Sequence, residues 1–367
     1  MIAWAVPALA AAAYYLLAIV AVFRWPKASR PTGALPPVSV LKPMYGTDAR
    51  LYQALRSHAA QDYPEFEILF GVGNPADPAL GEIERLQTEF PQRDLRIVVA
   101  KPDTPNAKAA VLAELAQHAR YDLLVVNDDD IVAGPGYLRS VAAAFEAPNT
   151  GLVTCLYRAH ARSLASLTEA LGIATEFAPS VLVARFLGVV DFALGSTMAL
   201  RATTLREVGG FHAVADFLAD DYQLGRNVAA CGYRIEFASA VVETGAGEAS
   251  WRQIWKHQLR WSRTIRVSRS AGYYGSLVTH ATAWALVACA AGQIWAGGLA
   301  LALRMAAGLL VGGVVLEDRK VWRWFWLMPV RDLFGFAVWV GGCFGSTVWW
   351  RGRKLRLRRD GRITQES

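Results

Sequence analysis

From Met1 to Phe23 the chain carries no charged side chain, and Ser270 to Leu303 is again free of Asp, Glu, Lys and Arg. A helix crossing a hydrocarbon core of roughly 30 Å takes about 20 apolar residues. The first run is long enough for one crossing and is closed by Arg24 and Lys27. A cleaved secretory signal is the competing reading, because the Ala-rich stretch Ala8 to Ala13 resembles a cleavage region. No basic segment precedes the apolar run, which favours a retained anchor. Downstream, Met305 to Leu316 continues the apolar character after Arg304, and Leu333 to Trp350 forms another uncharged block. These runs are apolar on every side instead of along one stripe, which marks a membrane region and not a pair of core helices. Tryptophans at 322, 324, 326, 349 and 350 suit interfacial belts.

Charge then gives an orientation. The formal net charge of +7 comes largely from Arg351, Arg353, Lys354, Arg356, Arg358, Arg359 and Arg362, directly after the last apolar block. Beside a membrane segment such a cluster fits the positive-inside rule and anionic headgroups better than nucleic acid. The tail is expected in the cytoplasm, and Arg24, Lys27 and Arg30 place the central region there too. Both placements together require an even number of crossings between them, against three apolar segments. The segment near Pro329, Arg331 and Asp332 is the one that reads as interfacial or re-entrant. Cys155, Cys231, Cys289 and Cys343 are dispersed without metal-ligand spacing and receive no chemistry.

Between residues 31 and 276 the pattern changes. Val38–Lys42, Glu67–Val72, Leu95–Ala100 and Asp122–Val126 read as buried strands, separated by helices at about 48–60, 78–90 and 107–119. This alternation predicts an α/β domain with a mostly parallel sheet. Pro31, Pro36 and Pro37 form the linker from the anchor. The expected division is an anchor at 1–23, a catalytic domain at 24–276, a membrane region at 277–350 and a basic cytoplasmic tail at 351–367. The turn after the first strand, Lys42 to Thr47, lacks the glycines of a dinucleotide site, which excludes a Rossmann dehydrogenase.

Ligands of such sheets bind beyond the carboxyl ends of the strands. There the second strand is followed by Gly73–Asp77 and the fourth by Asn127–Ile131. Three consecutive Asp residues after an apolar strand are costly unless a cation compensates them. Asp128 and Asp130, two apart, can address one hard cation such as Mg²⁺ or Mn²⁺ that would bridge a leaving diphosphate. The alternative is a loop of N-capping acids before a helix at Pro135. Leu218–Tyr222 opens another helix, with Asp220 as its expected cap and Asp221 pointing elsewhere. In Trp255–Trp261, His257, Arg260 and Trp261 share one helical face, fit for phosphate and sugar or, alternatively, for an ordinary basic stretch near a membrane.

Asp77, Asp128–Asp130, Asp221 and His257-x-x-Arg260-Trp261, in that order between membrane segments, resemble the D, D, D, (Q/R)xxRW signature of family 2 and family 21 glycosyltransferases. Ser39–Pro43, Ala76–Pro78 and Gly195–Arg201 resemble ceramide glucosyltransferases specifically. The stretch His257–Arg266 is similar to a bacterial hopanoid-associated branch, with His257 in place of the usual Gln or Arg. The resemblance implies a GT-A-type (Rossmann-like) nucleotide-sugar-binding domain with N- and C-terminal transmembrane helices. It implies contacts from Asp77 to the uridine and from Asp128 to the nucleotide. The divalent metal would be held by Asp128 and Asp130, and Asp221 would be the general base. Lys108 belongs to an Asn106-Ala-Lys108 element that resembles a nucleotide-contacting motif, with Val111 where relatives often carry a second Asn. His257, Arg260 and Trp261 would close on diphosphate and acceptor.

The implied reaction is inverting transfer of a hexose, glucose or N-acetylglucosamine, from a UDP-sugar to a lipid hydroxyl, ceramide-like or of a hopanoid polyol. The implied location is a bacterial inner membrane, multi-pass, with the catalytic domain facing the cytoplasm. Leu164 to Leu187, apolar with Glu169, Glu176 and Arg185 interspersed, reads either as an amphipathic helix facing the bilayer or as a buried helix. Two rivals remain. A polysaccharide synthase would usually carry Gln at 257 and more spanning helices. A non-catalytic lipid-binding scaffold would have no need of metal-dependent UDP binding.

Overall fold

A computed structural model describes residues 2–26, 31, 33–245, 247–350 and 353–365; Lys27, Arg30 and Arg351 lie outside them. The four expected strands form β1 (Val38–Met44), β2 (Phe66–Val72), β3 (Asp94–Val99) and β4 (Leu123–Val126), all parallel to their partners among the four. Helices Leu51–Ala59, Ala79–Glu89 and Ala107–His118 make the crossovers. Alternation along each strand divides the core between two faces. Val40, Ile68 and Val125 pack with Leu55, Ile83 and Tyr137, whereas Leu41, Leu69 and Val126 pack with Val111 and Leu112.

Five further strands follow: β5 (Thr150–Thr154), β6 (Tyr157–His160), β7 (Met198–Arg201), β8 (Arg234–Phe237) and β9 (Val242–Gly245). The main sheet runs β3-β2-β1-β4-β7-β5-β8, with β7 antiparallel to both neighbours, while β6 and β9 pair separately. The chain steps outward from β1 to β3 and then returns to the other side of β1 with β4. The crevice at the carboxyl ends of β1 and β4 is thus a topological switch point, where open α/β sheets bind ligands. Met198 at the start of β7 pairs with Val126 at the end of β4, which brings the loop before β7 to the same crevice.

Three helices among the described residues are long and apolar enough to cross a membrane: Ala3–Val22, Leu164–Phe186 and Ile294–Val315. The first presents a seam of small residues inward, Ala8, Ala11, Ala12, Ala18 and Ala21, and exposes Val6, Leu16 and Val20. Small residues allow close helix contact, and the large apolar ones are left for lipid. The seam packs on Ala285, Ala288 and Ala300 of the following helices and, through Ala11 and Ala18, on Val183. Of the two readings of Leu164–Leu187, burial selects the second: every residue of Leu164–Gly172 except Leu164 is buried. That helix is the hub joining the catalytic unit to the bundle.

Charge inside the bundle is paired. Arg304 is fully buried, donates to Asp332 Oδ1 at 2.6 Å and to Thr175 Oγ1 at 3.2 Å, and lies 5.1 Å from the Tyr15 ring centre. Asp332 Oδ2 accepts from Thr282 Oγ1 at 2.6 Å. Asp332 belongs to Met328–Gly342, a helix of 15 residues and so about 22 Å long, too short to span the core in full.

Two expectations need correction at the carboxyl end. Leu333–Trp350 is not one apolar segment: its helix stops at Gly342 and Thr347–Trp350 is a strand, β10. The basic stretch, expected as a tail after the membrane region, contributes strands. Arg353–Leu357 (β11) and Ile363–Gln365 (β12) complete an antiparallel sheet with β10. Leu355, Leu357 and Ile363 bury against Val348 and Leu218. The Ile363 N–H donates to Asp216 O at 2.8 Å, so the basic segment braces the loop that leads to Asp220 and Asp221.

Candidate active site

The site begins with a cation that sequence reading passed over. Lys42, inside β1, is fully buried and donates through Nζ to Asp128 O at 2.9 Å. Burial lowers its pKa to about 8 against the opposing pull of Asp129, Asp130 and Asp128. Beneath the acidic loop, Asn127 fixes the end of β4. Its Nδ2 donates to Ser196 O at 2.8 Å and to Tyr137 Oη at 2.9 Å, and its Oδ1 faces His58 Nε2 at 3.2 Å. Such a satisfied buried network holds one geometry. The triplet caps no helix at Pro135; the next helix starts at Tyr137 with Gly136 as its cap.

Lys108 supplies the second ammonium. Its Nζ lies 2.7 Å from Asp128 Oδ1 and 3.3 Å from Asp220 Oδ2. Burial opposes its charge, but Asp128 and Asp220 outweigh that and hold its pKa above the usual lysine range. Asn106 caps this helix by accepting from Lys108 N and Ala109 N, and its Nδ2 donates to Phe217 O at 2.8 Å, tying the helix to the Asp220 loop. Asp220 is not the expected helix cap: Ala219 holds that position and Asp220 turns to Lys108.

Asp221 Oδ2 accepts from Gly195 N at 2.8 Å and Oδ1 from Tyr222 N at 2.7 Å. A Cβ at Gly195 would stand 3.2 Å from Asp221 Oδ2 and 3.3 Å from Asp128 Oδ2, so glycine there lets both carboxylates close on one point. Burial and then Asp220 push the Asp221 pKa up to about 6 against Lys108 and the Tyr222 N–H. Asp130 Oδ2 accepts from Thr244 Oγ1 at 2.5 Å and Gly245 N at 2.9 Å. Burial and Asp128 raise its pKa.

Five carboxylates, Asp128–Asp130, Asp220 and Asp221, thus surround two ammonium groups and leave an excess of negative charge. Among the described residues no three His, Cys, Asp or Glu side chains form a metal cage. Mg²⁺-type sites are commonly built from one or two carboxylates plus substrate phosphates. Asp128 and Asp130, hard oxygen donors in an under-compensated cluster, fit that kind of site.

A second group adjoins the first. Tyr157 in β6 has its phenol pKa raised by burial and then by Asp221, Glu169, Asp128 and Asp130. Glu169, buried in the Leu164–Gly172 helix, meets His257 Nδ1 at 2.7 Å. The His257 and Trp261 rings are 4.5 Å apart, and Trp261 packs with Tyr157 on Ala159, Ala170 and Ile173. Arg260 sits on the same helix, Trp251–Ser268. The next residue to His257, Gln258, accepts from Arg331 Nη2 at 3.0 Å, linking this helix to the bundle. Asp77 stands apart, at the end of β2. Its carboxylate accepts from Gly46 N at 3.0 Å and Ala79 N at 2.9 Å, binding together the loops after β1 and β2.

Sequence reading missed Lys42, Tyr157 and Glu169. A lysine in an otherwise apolar strand and a glutamate in an apolar helix were the available signals, because a buried charge needs a partner.

The sheet order and the acidic crevice at its switch point define a GT-A-type glycosyltransferase fold. A mannosyltransferase from Pyrobaculum calidifontis, solved with GDP-mannose and Mn²⁺, shares this fold with a TM-score of 0.56 at 17% identity, over 93% of this chain and 97% of that one. The pattern of glycosyl transferase family 21 matches residues 2–363, and the chain belongs to that family. It is 31% identical to ceramide glucosyltransferase 1 of Caenorhabditis elegans over 57% of this chain and 46% of that protein. It is 33% identical to a ceramide glucosyltransferase of Komagataella phaffii over 42% of this chain and 31% of that protein. The chain matches at most about half the length of these curated relatives.

Proposed function

We propose that the protein transfers a hexose, glucose or N-acetylglucosamine, from a UDP-sugar to the hydroxyl of a membrane lipid, ceramide-like or hopanoid, with inversion and with help from Mg²⁺ or Mn²⁺. The convergence of Asp128 and Asp221 on Gly195 beside Lys108 carries this reading. Asp221 is the base: its raised pKa suits a group that takes a proton from an alcohol near neutrality. Lys108 and Lys42 restrain the acidic loop, and Asp77 contacts the uridine. A metal bound by Asp128 and Asp130 would supply charge for the leaving diphosphate. His257, Arg260 and Trp261 close on diphosphate and acceptor, with Glu169 aiming His257 Nε2 away from itself. With Asp221 acting as base toward the acceptor, transfer is a single displacement, so an α-linked donor yields a β-glycoside. The bundle of apolar helices delivers a lipid acceptor from a bacterial inner membrane to a cytoplasm-facing site.

The test is sugar transfer by the purified full chain in detergent with Mn²⁺, offering UDP-glucose and UDP-N-acetylglucosamine against ceramide and a hopanoid tetrol. A β-linked glycolipid that disappears with EDTA is expected. Absence of both transfer and UDP binding would turn the reading to a lipid-binding scaffold.

The base must be ionised to act, so kcat/KM is expected to rise with pH through about 6 and level off above it. A dication at Asp128 favours the ionised form and moves that limb lower. A rate that is flat across this range down to about pH 4.5 would remove Asp221 from the role. Glu169→Gln deprives His257 of a charged hydrogen bond, and a roughly 10-fold rise in the donor KM is expected. Initial-rate kinetics on the folded variant measure it.

A further inference from the structure

The Trp251–Ser268 helix, the short helix Ser270–Gly275 and the carboxyl-terminal sheet border an open cavity of about 740 Å³ with none of the acidic-crevice residues in its lining. That volume is in the range of small-ligand sites. Arg266, Arg356, Arg358 and Arg359 line it together with Ser346 and Thr364, and among the described residues no carboxylate is part of the lining. Arg266 is held in place by its own contacts, donating through Nη1 to Cys343 O at 2.5 Å and through Nη2 to Gly345 O. Arg356, Arg358 and Arg359 make no ion pair among the described residues. Four guanidinium groups gathered with no carboxylate beside them in the lining among the described residues repel one another, and an anion relieves that cost. Guanidinium forks match phosphate oxygens in geometry.

The surroundings point to where such an anion is presented. Ser270 and Tyr274 of the lining begin the uncharged run that leads into the apolar helices. Tyr274 of the lining is 50% exposed, and Phe344 and Trp349, either side of lining Ser346 in the chain, are 68% and 59% exposed. This combination belongs to the boundary between headgroups and acyl chains. We propose that the cavity is a binding site for a phosphate-bearing anion, the chemistry shared by an anionic phospholipid headgroup and a free phosphate. It is separate from the proposed sugar-donor site, whichever sugar and acceptor the protein uses. Arg266 lies nine residues after His257 on one helix, about 13 Å along its axis, so the ligand braces the far end of the helix that carries the His-x-x-Arg-Trp residues.

The experiment follows thermal unfolding of the full chain in uncharged detergent while dioctanoyl phosphatidylglycerol, dioctanoyl phosphatidylcholine or inorganic phosphate is titrated in. Phosphatidylglycerol is expected to raise the midpoint saturably by roughly 2–4 °C, with phosphatidylcholine giving much less. An equal, saturable shift with inorganic phosphate would identify a soluble phosphate as sufficient. The triple variant R356A/R358A/R359A, altered only at exposed positions, is expected to lose the shift. The variant R353A/K354A, on the same strand but outside the cavity, is expected to keep it. No saturable shift in the unmodified protein, or an equal loss in both variants, would overturn the proposal, the second by showing diffuse surface charge in place of a built site.

Discussion

Asp221→Asn is expected to lower turnover by about 10²- to 10⁴-fold, the worth of a positioned general base. The replacement has nearly the same shape, and its side-chain oxygen can still accept from Gly195 N, as the Asp221 carboxylate does at 2.8 Å. What it loses is the ability to take the acceptor's proton. In the proposed site, donor binding is assigned to Lys108, the Asp128–Asp130 loop and Asp77, so UDP affinity measured by calorimetry is expected to change by less than about 3-fold, within roughly 0.6 kcal/mol. The rise in rate through about pH 6 should vanish with the carboxylate. Turnover within a factor of ten of the parent, in a variant that binds UDP normally, would place the base elsewhere.

The second large effect concerns stability. Arg304→Ala leaves Asp332 buried without its ion-pair partner and removes the cation beside Tyr15. Breaking such a pair from one side costs about 3–5 kcal/mol, because the remaining charge has lost its compensation. Unfolding of the purified protein in detergent should show this as a lower midpoint. The double replacement Arg304→Met with Asp332→Leu is expected to recover most of the loss, since apolar residues of similar volume often replace a buried pair without penalty. Failure of the double variant to recover would mean that Thr175 and Thr282, which bond the same pair, hold the bundle in register.

The parallel half of the sheet was legible because β1, β2 and β4 are short apolar runs bounded by polar residues and separated by helical stretches. The strands β6 and β9 were not, since Tyr157–His160 and Val242–Gly245 are four residues each and mix polar with apolar side chains. Asp128, Asp130 and Asp221 stood out as acids at strand and helix ends. Lys42 did not, because the strand around it reads as continuous core, and only the sheet shows that its amine reaches the carboxyl end of β4. Glu169 was concealed in the same manner within an apolar helix. In the basic segment the net charge masked a period-two signal: Lys354, Arg356 and Arg358 alternate with Leu355 and Leu357, the pattern of a strand with one buried face.

That folded segment also sets an order of events during synthesis. The loop before Asp220 is made ahead of the apolar helix Ile294–Val315, yet its brace, the bond from Ile363 N to Asp216 O, comes from residues made after that helix and after Met328–Gly342. The brace on the loop that leads to the acidic crevice therefore forms only once β12 has been made and has docked. A chain stopped before β12 has its apolar helices in hand but lacks the bond that ties Asp216, and with it the approach to Asp220 and Asp221.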